Sequence, residues 1–332
     1  MTRFVLTLFL CSSLLQVQAQ PAAPAVEPPS SQDLINQMSD ASKKLTYQGD
    51  FVFTRGNNMD VMRLLHKSDA EGEHEKIISL TGPAREIIRN NQTVIGIFPD
   101  TQQVMIEQSR TQNFAASLPE HIEVMTDFYN YFTTGTDRIA GRDTWVVSVT
   151  PVDEFRYGYQ LWIDKETNLM LKSELQDESG APLEVIMFTQ LQMRDSLADE
   201  LFSPTISGEG YTRYEYTEQN KNQAQTVSSV ITGTGQWQVT WLPDGFTLSN
   251  YNEKSTAVAG DFLEHMIYSD GVSMVSIFIE KLGAEAPISM GSHKVGGVNV
   301  YAKSMGEYQI TAVGEVPQAT VTRIVDSVVA GE

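Results

Sequence analysis

The residues from Asp137 to Leu191 decide the fold: DRIAGRDTWVVSVTPVDEFRYGYQLWIDKETNLMLKSELQDESGAPLEVIMFTQL. Apolar side chains recur there at every second position, which is the period of a β-strand with two distinct faces. These positions are Trp145, Val147 and Val149, then Tyr157, Tyr159 and Leu161, with Trp162 on the opposite face. Asp164–Asn168 and Asp177–Gly180 have the composition of turns. The stretch therefore predicts consecutive antiparallel strands. Because no catalytic group stands among them, the stretch suggests recognition rather than chemistry.

The N-terminus predicts an exported protein. Arg3 precedes the apolar run Phe4–Leu15, and small residues end a cleavage site at Ala19. Residues 1–19 are therefore predicted to be a cleaved signal peptide, followed by a flexible Pro-rich tail over residues 20–32. The alternative is a lipoprotein signal at Cys11, but Leu10 stands where a small residue would be needed.

Charge and cysteine content limit the classes of function. The net charge of −19 becomes −20 once Arg3 is removed, so nucleic acid is not expected as a partner. Because Cys11 is the single cysteine, the mature chain would contain no disulfide and no thiolate zinc site. After the signal peptide, no apolar stretch reaches the roughly 18 residues of a membrane-spanning helix.

A helix and six strands are predicted before the central stretch. Ser31 or Asp33 would cap a helix that continues to about Lys44. Its buried face would consist of Leu34, Ile35, Met38 and Ala41. The strands are expected at Tyr47–Thr54, Met59–His66, Glu75–Leu80, Ala84–Arg89, Thr93–Phe98 and Gln103–Gln108.

A second amphipathic helix is predicted over Leu118–Phe132, where apolar residues recur at steps of three and four. Two interpretations stay open for it. It is an ordinary core helix, or it lines or plugs a ligand cavity on the concave side of the sheet.

The composition changes after Pro204, and this change predicts a second domain. Residues 217–229 are polar and predict a linker between a first domain over residues 33–216 and a second over residues 230–332. In the second domain, Trp237, Val239 and Trp241 would share one strand face. Further strands are expected at Phe262–Tyr268, Val272–Glu280, Gly297–Lys303 and Glu307–Val313. Pro317 would begin a closing helix that packs through Val321, Ile324, Val325 and Val328.

The sequence contains no recognisable catalytic or metal-binding motif. The five histidines form neither an HExxH nor an HxH pair, and there is no GxSxG sequence. His74 stands among acidic residues, a pattern that a weak cation site or a solvated acidic loop would both explain. We therefore expect no enzyme, no metal and no cofactor.

Large apolar side chains are the remaining candidates for function. They are Phe51, Phe53, Met62, Leu64, Trp145, Tyr159, Trp162 and Met170. They either pack the core or line a cavity for acyl chains, because methionine and aromatic side chains adapt to variable apolar shapes.

Several short motifs, in order along nearly the whole mature chain, resemble the RseB/MucB family of periplasmic regulators of sigma-E (AlgU). They include Gly49-Asp50-Phe51-Val52-Phe53, Arg156-Tyr157-Gly158-Tyr159, Trp241-Leu242-Pro243, Tyr268-Ser269-Asp270-Gly271 and Gly314-Glu315-Val316-Pro317. The resemblance implies an α+β fold that is mainly antiparallel β. The first domain would be a LolA-like half-open barrel with helices, and the second a smaller sheet-and-helix domain.

The resemblance also implies a function in the periplasm. The protein would bind the periplasmic region of the anti-sigma factor RseA/MucA, protect it from site-1 proteolysis, and be released by lipopolysaccharide or by lipid or lipoprotein acyl chains. Whether it forms a homo-oligomer stays open. The alternative is a periplasmic lipoprotein or lipid carrier of the LolA type, which would need only the first domain.

Two further sets of residues follow from this resemblance. Arg138, Arg142 and Arg156 could form a basic rim for lipopolysaccharide, although ordinary surface ion pairs are the simpler explanation for them. Exposed apolar positions around Trp241, Phe246 and Tyr268 are expected to carry much of the anti-sigma contact.

Overall fold

The computed structural model describes residues 29–108, 127–216, 236–255, 262–282 and 290–331. The predicted signal peptide, residues 20–28 of the tail and the linker at 217–229 lie outside these ranges. Residues 118–126 of the predicted second helix also lie outside them.

The N-terminal domain is one open, curled sheet of twelve strands in the order β12-β6-β5-β4-β3-β2-β1-β11-β10-β9-β8-β7. Its strands are β1 Tyr47–Arg55, β2 Asn58–Asp69, β3 Gly72–Ser79, β4 Glu86–Asn90, β5 Thr93–Phe98, β6 Gln103–Gln108, β7 Tyr129–Ile139, β8 Arg142–Pro151, β9 Gly158–Asp164, β10 Met170–Gln176, β11 Pro182–Met193 and β12 Thr212–Tyr216. All neighbours are antiparallel except β6 and β12, which are parallel. The predicted half-open barrel is confirmed.

The first helix, α1 (Ser31–Lys44), packs on this sheet as predicted. Its buried residues include all four that the sequence placed on the inner face, Leu34, Ile35, Met38 and Ala41. The predicted cap is wrong, because the helix is capped by Ser30 rather than by Ser31 or Asp33, and the side chain of Ser30 accepts the hydrogen bond from the Asp33 amide at 3.1 Å.

The end of the predicted second helix is wrong. Tyr129–Ile139 is strand β7, which pairs with β8 and places Tyr129 in the core while Phe132 is 57% exposed. Within the described residues, ten residues of β7 pair with β8, and this pairing outweighs the helical spacing of Tyr129 and Phe132.

The C-terminal domain combines a six-stranded sheet, a two-stranded sheet and one helix. Its elements are β13 Trp237–Val239, β14 Thr247–Ser255, β15 Phe262–Ser269, β16 Met274–Lys281, β17 Gly291–Val295, β18 Val298–Met305, β19 Tyr308–Gly314, α2 Gln318–Asp326 and β20 Val328–Ala330. Pro317 is the N-cap of α2 rather than its first residue, and Val328 belongs to β20. Val321, Ile324 and Val325 pack against the sheet as predicted.

Candidate functional site

The structure divides the eight predicted cavity residues between two packed clusters of the first domain. Phe51, Met62, Leu64 and Trp162 are buried in one cluster, with Phe53 beside them, whereas Tyr159, Met170 and Trp145 belong to the other. Tyr159 and Trp162 are three positions apart on β9, so they lie on opposite faces of the sheet. Six of the eight are at most 7% exposed. Within the described residues they therefore form packed cores rather than one continuous wall.

The predicted basic rim is not assembled. Arg156 is 1% exposed and lies between the two domains, so a headgroup in solution cannot reach it in this conformation. Arg142 pairs with Asp164 and Glu166, both at 2.8 Å, whereas Arg138 is exposed. Arg142 makes ion pairs, as the alternative interpretation predicted. Arg156 is too buried to belong to a rim that a lipid headgroup could reach.

The three predicted partner residues are less accessible than expected. Phe246 is 6% exposed and Tyr268 is 5% exposed, because both pack into the core of the second domain. Trp241 is half-buried, with its ring centroid 5.0 Å from that of Phe155 and 4.0 Å from the guanidinium of Arg323. The expectation that Phe246 and Tyr268 are exposed is wrong, because their strand and turn direct them inward.

Arg156 instead organises one half of a contact between the domains, which we call the Arg156 cluster. Its Nε donates to Oδ2 of Asp270 in the second domain at 2.6 Å, and its Nη atoms donate to Asp153 and to the carbonyl oxygen of Asp244. Both side chains of the Arg156–Asp270 pair are fully buried. A buried pair of this kind is strongly destabilised when one partner is removed.

Aromatic rings enclose the same guanidinium. The rings of Phe128 in the first domain and Phe246 in the second lie 5.0 Å and 5.2 Å from its central carbon. Both distances allow a cation–π attraction, which strengthens when the cation is shielded from water. Arg156 therefore joins the domains through charge, a backbone carbonyl and ring faces together.

The turn that carries Asp270 is held by hydrogen bonds of its own, in addition to the contact with Arg156. Oδ1 of Asp270 accepts from the amides of Val272 and Ser273 at 2.8 Å and 2.7 Å, inside the hairpin between β15 and β16. This leaves Oδ2 for Arg156 and, at 3.4 Å, for the hydroxyl of Tyr129. The turn is thus preorganised to present one carboxylate oxygen to the first domain.

The other half of the contact, which we call the Glu315 cluster, contains Arg55, Glu184, Tyr159, Gly297 and Glu315. Arg55 donates from Nε and Nη2 to the two carboxylate oxygens of Glu184, at 2.8 Å and 3.0 Å. The amide of Gly297, in the turn between β17 and β18, donates to the same carboxylate at 3.1 Å. Glu315 follows β19, and a Cβ on Gly297 would lie 3.2 Å from Cγ of Glu315 and 3.4 Å from Oε1 of Glu184, so the two carboxyl groups are neighbours.

The electrostatics of Glu315 are unusual. Burial and then the negative charge of Glu184 raise the pKa of Glu315 to about 7, although Arg55 opposes the shift. A carboxyl group that is shielded from water next to a second carboxylate favours its neutral form. The site can therefore hold a proton between the domains near neutral pH.

Two glycines allow the domains to approach this closely. A Cβ on Gly297 would lie 2.3 Å from Cδ2 of Leu175, and a Cβ on Gly296 would lie 2.4 Å from Cγ of Arg55. Gly296 also has a φ of +59°, which side chains disfavour. The Gly296-Gly297 turn therefore fits against β1 and β10 only because it lacks side chains.

Neutral hydrogen bonds continue the contact between the two clusters. Nδ2 of the buried Asn299 donates to the hydroxyl of Tyr157 at 2.8 Å and to the carbonyl of Val316 at 2.7 Å. The hydroxyl of Thr320 in α2 donates to the carbonyl of Phe155 at 2.9 Å. The domains are thus held by several specific polar contacts as well as by apolar packing.

Some residues of the contact between the domains belong to motifs recognisable in the sequence, but the motifs did not predict that these residues meet. Arg156-Tyr157 and Ser269-Asp270-Gly271 both stood out as motifs, but they are more than one hundred positions apart. Their pairing, and the pairing of Glu184 with Glu315, depends on domain docking. The usable signal was an arginine amid aromatic residues in one domain and an Asp-Gly turn in the other.

The arrangement is that of two domains docked through specific polar and apolar contacts. Among the described residues, no group of three or more His, Cys, Asp or Glu side chains could hold a metal ion. Neither helix in the described ranges is long and apolar enough to cross a membrane.

Comparison with known proteins identifies the family. The model of the MucB/RseB N-terminal domain matches residues 30–206, and that of the MucB/RseB C-terminal domain matches residues 232–329. The chain therefore belongs to the MucB/RseB family.

Curated relatives and solved structures agree with this assignment. The chain is 29% identical to the sigma factor AlgU regulatory protein MucB of Pseudomonas aeruginosa, over 96% of each chain. It is 27% identical to the sigma-E factor regulatory protein RseB of Haemophilus influenzae, over 90% of this chain and 91% of that one. The Pseudomonas aeruginosa MucA/MucB complex matches with a TM-score of 0.71 and 25% identity, over 92% of this chain and 100% of that one. A structure of MucB in complex with MucA(peri) matches with a TM-score of 0.68 and 26% identity, over 91% of this chain and 100% of that one.

Proposed function

We propose that this protein is a periplasmic negative regulator of an envelope-stress sigma factor, and that it acts by binding the periplasmic region of the anti-sigma factor. The observation that carries the proposal is the match over both domains to MucB, including the structure of MucB in complex with MucA(peri). A bound regulator would shield the anti-sigma factor from proteolysis until a lipid signal releases it.

The two-domain organisation supports this proposal over the lipid-carrier alternative. A carrier needs only the curled sheet of the first domain, but the second domain here is docked through a buried ion pair and matches its own family model. A docked second domain can present a composite surface to a protein partner.

The lipid signal requires apolar surface in the first domain. The two clusters that contain Tyr159 and Trp162 supply apolar side chains. Each methylene of an acyl chain that is buried against such side chains contributes about 0.8 kcal/mol to binding. Since these side chains are packed, an acyl chain would have to displace them, and binding would select a different conformation of the protein.

A binding experiment tests the proposal directly. The full mature chain is titrated with the periplasmic region of the single-pass anti-sigma factor from the same organism, with and without lipopolysaccharide. We expect a saturable complex that lipopolysaccharide weakens, and protection of the anti-sigma fragment from the site-1 protease. Absence of a complex at micromolar concentrations would overturn the function.

Trp162→Ala distinguishes a packed core from a lipid-binding wall. The ring of Trp162 is buried, lies 3.9 Å from Nζ of Lys172 and donates to Asp137 at 2.9 Å. Loss of about 3–5 kcal/mol of stability with unchanged release by lipid would assign the residue to the core alone. A smaller loss, together with resistance to lipid, would assign it to the signal-binding surface.

A further inference from the structure

The Glu315 cluster places two carboxyl groups on either side of the domain boundary. Glu184 lies on β11 of the first domain, and Glu315 follows β19 of the second. The side chain of Glu184 is 9% exposed and is occupied by Arg55 and by the amide of Gly297. Cγ of Glu315 and Oε1 of Glu184 both lie within 3.4 Å of the position that a Cβ on Gly297 would take, so Glu315 meets a carboxylate whose positive partner is already engaged.

The surroundings of Glu315 include charged or titratable groups from several elements. Glu184 on β11 raises the pKa of Glu315, whereas Arg55 on β1 and the hydroxyl of Tyr159 on β9 lower it. Farther out, the negative charges of Asp177, Glu178 and Glu315 raise the pKa of Tyr157. Lys294 on β17 lowers the pKa of Asp177.

We propose that Glu184 and Glu315 form a proton-operated latch, in which the docked domains hold a proton that separated domains release. Protonated Glu315 donates a hydrogen bond to Glu184, so the two carboxyl groups attract each other across the boundary. When the proton leaves, two negative charges share the positive charge of Arg55 at a site shielded from water, and docking weakens.

The direction of the pH dependence follows from proton linkage. A separated Glu315 would titrate at its ordinary pKa of 4.5, whereas the docked group has a pKa raised to about 7. Between these values the docked form binds the extra proton, so docking weakens as pH rises from about 4.5 to 7 and then levels off. A shift of this size changes the ratio of docked to separated molecules on the order of a hundredfold.

Hydrogen exchange at the Gly297 amide measures this equilibrium even when the separated form is rare, because that amide bonds to Glu184 across the boundary. The full mature chain, without partner or lipid, is exchanged at pH 5 to 8, and each rate is divided by the intrinsic rate at that pH. We expect the protection of Gly297 to fall at least about tenfold between pH 5 and 7.5.

Matched variants identify the titrating pair. Glu315→Gln should flatten the pH profile, because it removes the group that titrates. Independently, Glu184→Gln should reduce the pH dependence without abolishing it, because burial alone still raises the pKa of Glu315. Glu280→Gln, which removes an exposed carboxylate from β16, should retain the wild-type profile. A flat profile in the wild type, or an undiminished pH dependence in both pair variants, would overturn the latch. Because no partner is present, these outcomes are independent of the proposed regulatory function.

Discussion

The Arg156 cluster and the Glu315 cluster contain the same kinds of charge in different geometries. Each has one arginine and two carboxyl groups, and each joins the two domains. In the first cluster the guanidinium contacts both carboxylates, and one of these, Asp153, is partly exposed to water. In the second, Arg55 donates two hydrogen bonds to Glu184, and Glu315 lies beside this paired carboxylate.

This difference shows that charge composition alone does not determine how an interface responds to pH. A carboxylate in direct contact with a buried guanidinium compensates the charge of that cation, so removal of either partner is strongly destabilising. A carboxyl group beside an already paired carboxylate is more stable when protonated. We therefore expect the Arg156 cluster to supply strength and the Glu315 cluster to supply pH dependence.

The largest effect is expected for Arg156→Ala. The change leaves Asp270 as an uncompensated buried charge and removes the cation between Phe128 and Phe246. We expect a loss of about 3–5 kcal/mol in the stability of the docked protein. Urea unfolding followed by fluorescence and circular dichroism should then show separate transitions for the two domains.

Arg138→Ala is the matched control, because it removes an exposed arginine from the first domain. Its free energy of unfolding should differ from that of the wild type by no more than about 0.5 kcal/mol. Equal effects of the two substitutions would contradict the role given to Arg156.

Gly297→Ala should have the next largest effect. The new Cβ would lie 2.3 Å from Leu175 and 3.2 Å from Cγ of Glu315, so the turn would have to move away from the first domain. We expect docking to weaken by about 1–3 kcal/mol. Gly135→Ala is the control, because a Cβ there meets no atom within 4 Å. Calorimetry should detect a lower unfolding temperature in Gly297→Ala alone.

Tyr157→Phe should have the smallest effect. It removes the hydroxyl that accepts from Asn299, but Asn299 keeps its bond to the Val316 carbonyl. We expect a cost of about 0.5–1.5 kcal/mol, measured by urea unfolding. A loss comparable to that of Arg156→Ala would mean that the neutral contacts, rather than the charges, dominate docking.

Much of the fold could be predicted because local pattern and tertiary environment agree. The strands Thr93–Phe98 and Gln103–Gln108 have the predicted bounds, and α1 buries the predicted face. The spacing of apolar residues also failed at one point, since Tyr129 lies on β7 instead of a helix. There, pairing with β8 outweighed a helical spacing that only two residues of the described segment supported.

The exposure of the predicted site residues could not be predicted in the same way, because burial of an individual side chain depends on its neighbours in space. Phe246 and Tyr268 were expected on the surface, yet their side chains complete the core of the second domain. Arg156 was expected at a rim, yet the second domain covers it. A sequence shows which side chains are apolar or charged, but it does not show which surface a second domain will cover.

The sequence by itself determined the mainly antiparallel fold, the excess of negative charge and the family, because these depend on periodicity, composition and ordered motifs. Tertiary structure alone decided that Arg156 meets Asp270 and that Glu184 meets Glu315. Each pair joins residues more than one hundred positions apart across the domain boundary. The physical reason is that the pairing, the shielding from water and the shifted pKa of Glu315 all arise only when the two domains dock.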